Sequence, residues 1–186
     1  MPGRLSFRTT PDGSASTTER LRITSSGSLL VNHTTGRYDN LLQIEGTGGE
    51  SEISVIRNSS NGSGSGLMLG KSRTNSVGGN TIVQDNDKLG VISFGGADGT
   101  DLASLAAQIT GEVDGTPGSN DMPGRLVFKT TADGAATTTE RMRISSDGKI
   151  GISESDPQEF LHINGAASST IMLGNTTHGY KLRANV

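Results

Sequence analysis

One short stretch of the chain matches the end of a phosphate-binding loop. Gly70-Lys71-Ser72 has the glycine, lysine and hydroxyl residue with which such loops hold phosphates. The full motif also requires a glycine at position 65, where Ser65 stands, and residues 67–69 have the pattern of a strand. Nucleotide binding is therefore not predicted.

Histidine is the most common general base, and the chain contains His33, His162 and His178. No serine lies in a Gly-x-Ser-x-Gly elbow that one of them would serve. Each histidine is more simply interpreted as a surface or turn residue. The absence of cysteine excludes a thiol nucleophile, a disulfide framework and a cysteine-ligated zinc site. We predict no enzyme activity, no catalytic residue and no cofactor.

Two oxygen-rich stretches have residue types that bind calcium. Asp85 and Asp87 lie in the first, and Asp98 and Asp101 in the second. The first lacks the distal bidentate glutamate of a full calcium loop, and aspartate is an ordinary turn residue. Calcium binding and simple turn formation both stay open, and no metal site is assigned.

One charged cluster occurs twice: Glu19, Arg20 and Arg22 recur as Glu140, Arg141 and Arg143. It has two interpretations: contact with an anionic glycan, or ties between neighbouring strands or chains through carboxylates such as Asp12 or Asp133. Recurrence along the chain favours the structural role. On that interpretation, replacing Arg20 and Arg141 with alanine lowers the melting temperature.

The composition indicates a β-rich chain with little core material. Apolar residues make up 31% and aromatic residues 3% of the 186 positions, and there are 27 glycines. The formal net charge is −3, which is too small for simple disorder and of the wrong sign for a nucleic-acid-binding stripe. No apolar run is long enough to span a membrane as a helix. The expected partners therefore include neither nucleic acid nor a membrane.

An internal repeat organises the chain. Residues 1–31 align without a gap with residues 122–152, and 19 of the 31 positions are identical. We predict a first repeat unit at residues 1–121 and a second, incomplete unit at residues 122–186. Because Met1 matches the internal Met122, we expect about one and a half units of a longer chain.

Alternation of apolar and polar residues predicts the same three-strand antiparallel meander in residues 3–31 and 124–152. Its turns are marked by glycine, twice after aspartate in the second copy. The apolar positions of both copies are expected to face inward. Further short strands are predicted at residues 53–56, 67–69, 82–83, 91–94 and 109–113, and a helical turn at residues 101–108.

The predicted strands carry only one or two apolar residues each, which is too little to cover a sheet within one chain. Identical chains wound around an axis would share these stripes as a common core and would close the exposed sheet edges. The sequence therefore predicts an all-β, elongated fibre of short antiparallel meanders, built as an intertwined homo-oligomer.

The repeated block resembles a recurring unit of tail-fibre proteins of tailed bacteriophages, many of them marine. It reads Gly-Arg-Leu-x-Phe-x-Thr-Thr-x-Asp-Gly, then Thr-Glu-Arg-(Leu/Met)-Arg-Ile, then a glycine and a short aliphatic strand. The first copy departs from the pattern, because Leu30 stands where a central glycine is usual.

The resemblance implies a trimeric shaft in the extracellular part of a virion, joined to other tail proteins and holding a receptor-binding tip toward a host glycan or receptor. No tip is recognisable in these residues. Two alternatives remain: a cellular surface adhesin or filament subunit, and a carbohydrate-degrading tailspike. The tailspike would need a groove with aromatic residues, and the chain has two tyrosines, four phenylalanines and no tryptophan.

Overall fold

A computed structural model describes residues 2–36, 40–48, 51–165, 168–174 and 179–185. The protein is all-β, and no α-helix occurs in these ranges. The described ranges contain twelve strands: β1 (Leu5–Thr9), β2 (Thr18–Ile23), β3 (Leu29–Val31), β4 (Leu42–Ile44), β5 (Lys88–Gly96), β6 (Ser104–Val113), β7 (Gly124–Thr130), β8 (Thr139–Ile144), β9 (Ile150–Ile152), β10 (Leu161–Ile163), β11 (Ser168–Gly174) and β12 (Gly179–Asn185).

The chain divides into two compact units, Met1–Gly66 and Leu67–Val186, hereafter unit 1 and unit 2. Unit 1 contains a four-stranded sheet in the order β1-β2-β3-β4. Unit 2 contains a six-stranded sheet in the order β10-β9-β8-β7-β6-β5 and the hairpin β11-β12. Strands β6 and β7 pair across position 121, so a compact unit is not the same thing as a sequence repeat. The repeat units 1–121 and 122–186 stay a prediction.

Both copies of the repeated block form the predicted antiparallel meander, β1-β2-β3 and β7-β8-β9. A fourth strand then adds in parallel, β4 beside β3 and β10 beside β9. Each copy also contains a β-bulge at the same place, where one extra residue of the second strand, Arg20 or Arg141, has no partner on the first. The prediction that the two blocks share one topology is confirmed.

The turns follow the predicted chemistry. Gly13 and Gly134 both have φ of 74°, and Gly27 and Gly148 have φ of 88° and 83°. A side chain is disfavoured at such backbone angles, so glycine fixes these turns and with them the strand register.

The predicted helical turn at residues 101–108 is wrong. Residues Ser104–Val113 form β6, which pairs with β5 on one side and β7 on the other. Leu105, Ala107 and Ile109 alternate along this strand, and that period of two outweighs the helical spacing that included Leu102. Pairing along both edges decides the conformation.

Of the other short strands, those at residues 91–94 and 109–113 are confirmed as parts of β5 and β6. Those at residues 53–56, 67–69 and 82–83 are wrong, because these residues lie outside the strands. Ile53 and Leu67 are exposed, whereas Val83 is buried. An apolar run of two to four residues becomes a strand only when a neighbouring strand is available to pair with it.

Each large sheet has one face made of apolar side chains, and none of these side chains is buried. Phe7 and Leu42 of unit 1 are both 54% exposed, and Phe94 and Leu161 of unit 2 are 52% and 51% exposed. The apolar face of unit 1 consists of Leu5, Phe7, Leu21, Ile23, Leu29, Val31, Leu42 and Ile44. That of unit 2 consists of Ile92, Phe94, Ala107, Ile109, Leu126, Phe128, Met142, Ile144, Ile150, Ile152, Leu161 and Ile163.

One chain therefore leaves both apolar faces uncovered, and their inward direction within an assembly of several chains stays a prediction. The residues that a single chain buries lie mainly on the opposite, polar face. Val127 and Thr110 form a fully buried cross-strand pair, and Glu112 beside them is only 7% exposed. In unit 1 Leu30 is fully buried on the corresponding face.

Candidate functional site

The repeated charged cluster forms a two-pronged ion pair on the polar face. Arg22 donates to both carboxylate oxygens of Glu19, with Nε–Oε1 at 2.5 Å and Nη2–Oε2 at 3.0 Å. Its remaining nitrogen donates to the carbonyl oxygen of Thr34 at 2.7 Å. Strand residues three apart normally point to opposite faces, but the bulge at Arg20 places Glu19 and Arg22 on the same face.

The second copy reproduces this arrangement. Arg143 donates to the two oxygens of Glu140 at 2.6 and 2.9 Å, and to the carbonyl oxygen of Ser155 at 2.7 Å. Each arginine thus joins the second strand of its meander to the loop after the third. These hydrogen bonds link neighbouring segments of the chain, and the planar bidentate pairing fixes the relative orientation of the two side chains.

Arg20 and Arg141 have a smaller role. Each donates from Nε to a threonine hydroxyl of the preceding strand, Arg20 to Thr9 at 2.9 Å and Arg141 to Thr130 at 3.0 Å. The carboxylates suggested as partners, Asp12 and Asp133, form no salt bridge with this cluster in the described residues.

The charges in the cluster stabilise one another. The hydrogen bond from Arg22 holds the pKa of Glu19 below its ordinary value, although burial acts in the other direction. The hydrogen bonds to Glu19 and Glu140 likewise raise the pKa of Arg22 and Arg143. Glu19 and Arg22 therefore each favour the ionised form of the other.

Unit 2 contains a second charge network that the sequence did not reveal. Arg125 donates to Glu112 at 2.8 Å, to Asp114 at 2.9 Å and to the side-chain oxygen of Asn86 at 2.7 Å. Lys129 reaches the other oxygen of Glu112 at 3.5 Å. The alternating Glu112-Val113-Asp114 would have been a signal only if the pairing of β6 with β7 had been known.

Burial and hydrogen bonding compete within this network. Burial by itself would raise the pKa of Asp114, but hydrogen bonds from the Ser146 amide and from Arg125 outweigh it and lower the pKa. The pKa of Arg125 is raised by its hydrogen bonds to Asp114 and Glu112, again against burial. The hydrogen bonds thus offset the cost of burying these charges, and the network links β6, β7 and the turn after β8.

The first pair of candidate calcium ligands is occupied by protein groups. Asp87 accepts from Arg73 at 2.6 Å and from Lys71 at 3.1 Å, and Arg73 holds its pKa far below the ordinary value. Asp85 accepts from the Gly115 amide at 2.8 Å. Lys71, whose sequence context resembles a phosphate-binding loop, therefore forms an ion pair with the carboxylate of Asp87.

The second pair forms a turn. Asp98 accepts from the Ser104 hydroxyl at 2.7 Å and from the amides of Thr100 and Asp101, and these bonds lower its pKa to about 2. Asp101 accepts from the Ala103 amide at 2.8 Å. The described residues contain no group of three metal-ligating side chains close enough together to hold an ion.

Two of the three histidines lie beside glutamates. His33 is 3.4 Å from Glu45, and His162 is 3.9 Å from Glu154. Both pairs join the loop after the third strand of a meander to the fourth strand or to the residue after it. His178 lies outside the described residues.

Within the ranges that the structure describes, there is no helix with the length and apolar content needed to cross a membrane.

No protein-family model and no curated protein matches the chain. Among solved structures, the carboxy-terminal domain of the L-shaped tail fibre of bacteriophage T5 matches with a TM-score of 0.63 over 82% of this chain and 66% of that one. The same domain with its intra-molecular chaperone domain matches with a TM-score of 0.69 over 100% of this chain and 55% of that one. Sequence identity is 15% in both cases. The likeness shows a tail-fibre type of fold, and the expected all-β class is confirmed.

Proposed function

We propose that this chain is a structural segment of a phage tail fibre, which works as a homotrimer in the virion and spaces and orients a receptor-binding tip. The observation that carries the proposal is the apolar face of each sheet, which one chain leaves uncovered. The shared fold with a phage tail-fibre domain supports the same assignment.

The apolar faces favour assembly on energetic grounds. Burying a large aliphatic or aromatic side chain contributes about 1.5–3 kcal/mol, and covering one that is half exposed contributes roughly half of that. Leu126, Phe94 and Ile92 alone are each about half exposed, and their face continues across all six strands. Monomeric proteins rarely leave an apolar patch of this extent in water.

The charged cluster supports a mechanical role. Glu19 with Arg22 and Glu140 with Arg143 have the same geometry in both copies. Catalysis requires one particular convergence of groups in a pocket, whereas a repeated strand tie suits a rod. A non-enzymatic role therefore fits the arrangement best.

Sedimentation equilibrium of the purified chain tests the assembly. We expect a particle of three times the 19.2 kDa mass of one chain. A well-folded monomer at micromolar concentration would overturn the proposal, because its apolar faces would then be stable in water.

A charge placed on the apolar face provides the matched variant. Leu126→Asp should abolish the trimer, since a carboxylate cannot enter a shared apolar core without a large desolvation cost. Ala136→Asp is the control, because Ala136 is exposed and lies in the loop between β7 and β8. The control should sediment as the unmodified chain does.

The role within the fibre is tested separately with the labelled chain on an array of bacterial surface glycans. A spacer should bind none of them, whereas a fibre that includes its tip should bind its receptor. Specific glycan binding by this chain alone would instead make it an adhesive segment.

A further inference from the structure

Strand β1 occupies an edge of its sheet, whereas its counterpart β7 lies between β6 and β8. In unit 2 the backbone amide of Thr131, just after β7, donates to the carbonyl oxygen of Ala106 at 2.9 Å. The matching Thr10 is exposed, and its amide donates no hydrogen bond within the described part of the chain. Unit 1 therefore presents an unpaired strand edge where unit 2 has a neighbouring strand.

The polar face beside this edge carries an excess of positive charge. A surface depression of about 510 Å³ is lined by three arginines, Arg4, Arg8 and Arg22, together with one carboxylate, Glu19. Arg4 makes no hydrogen bond or salt bridge to the described residues, and it acts on Glu19 only through its charge. Glu19 is bound by Arg22 and also by Arg8, with Nη1–Oε2 at 3.5 Å, so a single carboxylate faces three cations and Arg4 has no carboxylate of its own.

In unit 2 the corresponding cations are neutralised by β6 and the residue after it. Arg125 and Lys129 stand at the positions of Arg4 and Arg8, and both bind Glu112. Asp114 also binds Arg125. The neighbouring strand thus supplies the two carboxylates that unit 1 lacks.

The side chain of Arg8 also differs from its counterpart in a way that the missing strand explains. In unit 2 the Thr138 hydroxyl bonds to the side-chain oxygen of Gln108 in β6 at 3.1 Å. In unit 1 the matching Thr17 hydroxyl accepts a hydrogen bond from Arg8 at 2.8 Å. Arg8 takes the place that a glutamine of an incoming strand would occupy.

We propose that the free edge of β1 is a docking site for an antiparallel acidic strand with the residue pattern of β6. The strand places one glutamate opposite Arg4, an aspartate two residues later and a glutamine opposite Arg8, as Glu112, Asp114 and Gln108 are placed in unit 2. Backbone pairing gives this interaction its affinity, and the two carboxylates give it register and selectivity.

The donor must be a segment whose own edge is free. β6 is paired on both sides within its sheet, so an intact unit 2 does not supply it. This docking surface exists independently of any role in a fibre, because it depends only on the edge and the charges of unit 1.

A synthetic peptide with the sequence of residues 104–115 tests the proposal. Fluorescence anisotropy of the labelled peptide with the full chain should show saturable binding that weakens with added salt. The same peptide with Glu112→Gln and Asp114→Asn should bind at least tenfold more weakly. A chain carrying Arg4→Ala and Arg8→Ala should lose affinity to the same degree, while Arg57→Ala, an exposed arginine of the same unit, should not.

Residue-resolved hydrogen exchange tests the register. Because the amide of Thr131 points toward β6, alternate amides along the matching edge point outward, those of Arg4, Ser6, Arg8 and Thr10. These four should gain protection when the peptide binds, and the amides between them should change little.

Three outcomes would overturn the proposal. The first is no binding at millimolar peptide. The second is binding whose affinity does not depend on Arg4 and Arg8, or binding that protects the amides of another strand edge. The third is binding of a sulfated or sialylated oligosaccharide to Arg4 and Arg8 without binding of the peptide, which would make the surface a small-anion site.

Discussion

The two copies of the meander have the same strands, turns, bulge and Glu–Arg pair, but they differ in what lies next to them. β7 is paired with β6, and its Arg125 is nearly buried among carboxylates. β1 is at an edge, and the identical Arg4 is exposed. The first strand of the repeated block is therefore an interior strand where a neighbouring strand pairs with it, and a positively charged edge strand where none does.

A second difference lies at the centre of the third strand, where Leu30 of unit 1 matches Gly151 of unit 2. The side chain of Leu30 is fully buried. A Cβ atom at Gly151 would collide with the backbone oxygen of Glu154, because the following loop crosses close above it. The first copy fills this position with a side chain and the second fills it with backbone.

The largest effect should come from Leu30→Ala. Removing a fully buried leucine side chain costs about 2–5 kcal/mol, and a four-stranded sheet has little stability in reserve. Hydrogen exchange should show that β1, β2 and β3 lose protection while unit 2 keeps it. Unchanged protection in unit 1 would mean that its stability does not depend on the polar face.

Next comes Arg125→Ala, with Arg4→Ala as its matched control. Removing Arg125 leaves Glu112 and Asp114 without their main partner, which should cost about 2–4 kcal/mol given their partial exposure. Removing Arg4 should change stability by less than about 0.5 kcal/mol. Chemical denaturation of the two variants measures the contrast. Equal losses would show that β1 is not an open edge in the assembled protein.

Acid should affect unit 2 through an aspartate in a turn whose counterpart in unit 1 has a serine. Hydrogen bonds from Ser145, and then Lys149, lower the pKa of Asp147 to about 2, and Ser26 stands at the matching position. A lowered folded-state pKa contributes stability above the ordinary value of 3.8 that is lost as the pH falls toward 2.

Melting temperatures between pH 2 and pH 6 measure this contribution. Asp147→Ser should reduce the difference in melting temperature between the two ends of that range, since it gives the second copy the turn residue of the first. The exposed Asp133→Ser is the control and should leave the difference as it was. An unchanged pH profile in Asp147→Ser would contradict the assignment.

The smallest effect should come from replacing Arg20 and Arg141 together with alanine. Each makes one side-chain hydrogen bond to an exposed threonine, so the loss should be within about 0.5 kcal/mol for each copy. Host adsorption by a fibre that includes its tip should not change. Lost adsorption with an unchanged melting temperature would make these arginines receptor contacts.

Much of the fold followed from local sequence. The Asp-Gly turns and the alternation around Leu5 and Phe7 predict the meander because turn geometry and strand period are properties of a few consecutive residues. The repeat strengthened these predictions, because a pattern of apolar and turn residues that occurs in both copies rarely arises by chance.

What the sequence did not predict depends on distant partners. Residues 104–108 of the expected helical turn belong to β6 because β5 and β7 pair with them. The ion pair of Glu19 with Arg22 depends on a bulge, and the network around Arg125 depends on which strand lies next to β7. The inward direction of the apolar faces stays a prediction, because it depends on other chains that would cover them.

The bulge opposite β1 and β7 also limits how such a chain can change its length. The extra residue shifts the alternation of the strand by one position, so every later residue of β2 or β8 faces the side opposite to the one that unbroken alternation would give. Deleting Arg20 or Arg141 would remove the bulge and leave the glutamate two residues before its arginine, which is the same-face spacing of a regular strand. A residue inserted between the glutamate and the arginine would instead place them on opposite faces. Length can therefore vary in the turns and loops, and within these two strands only at the bulge residue, so chimaeric chains made from this unit should be joined where the chain turns.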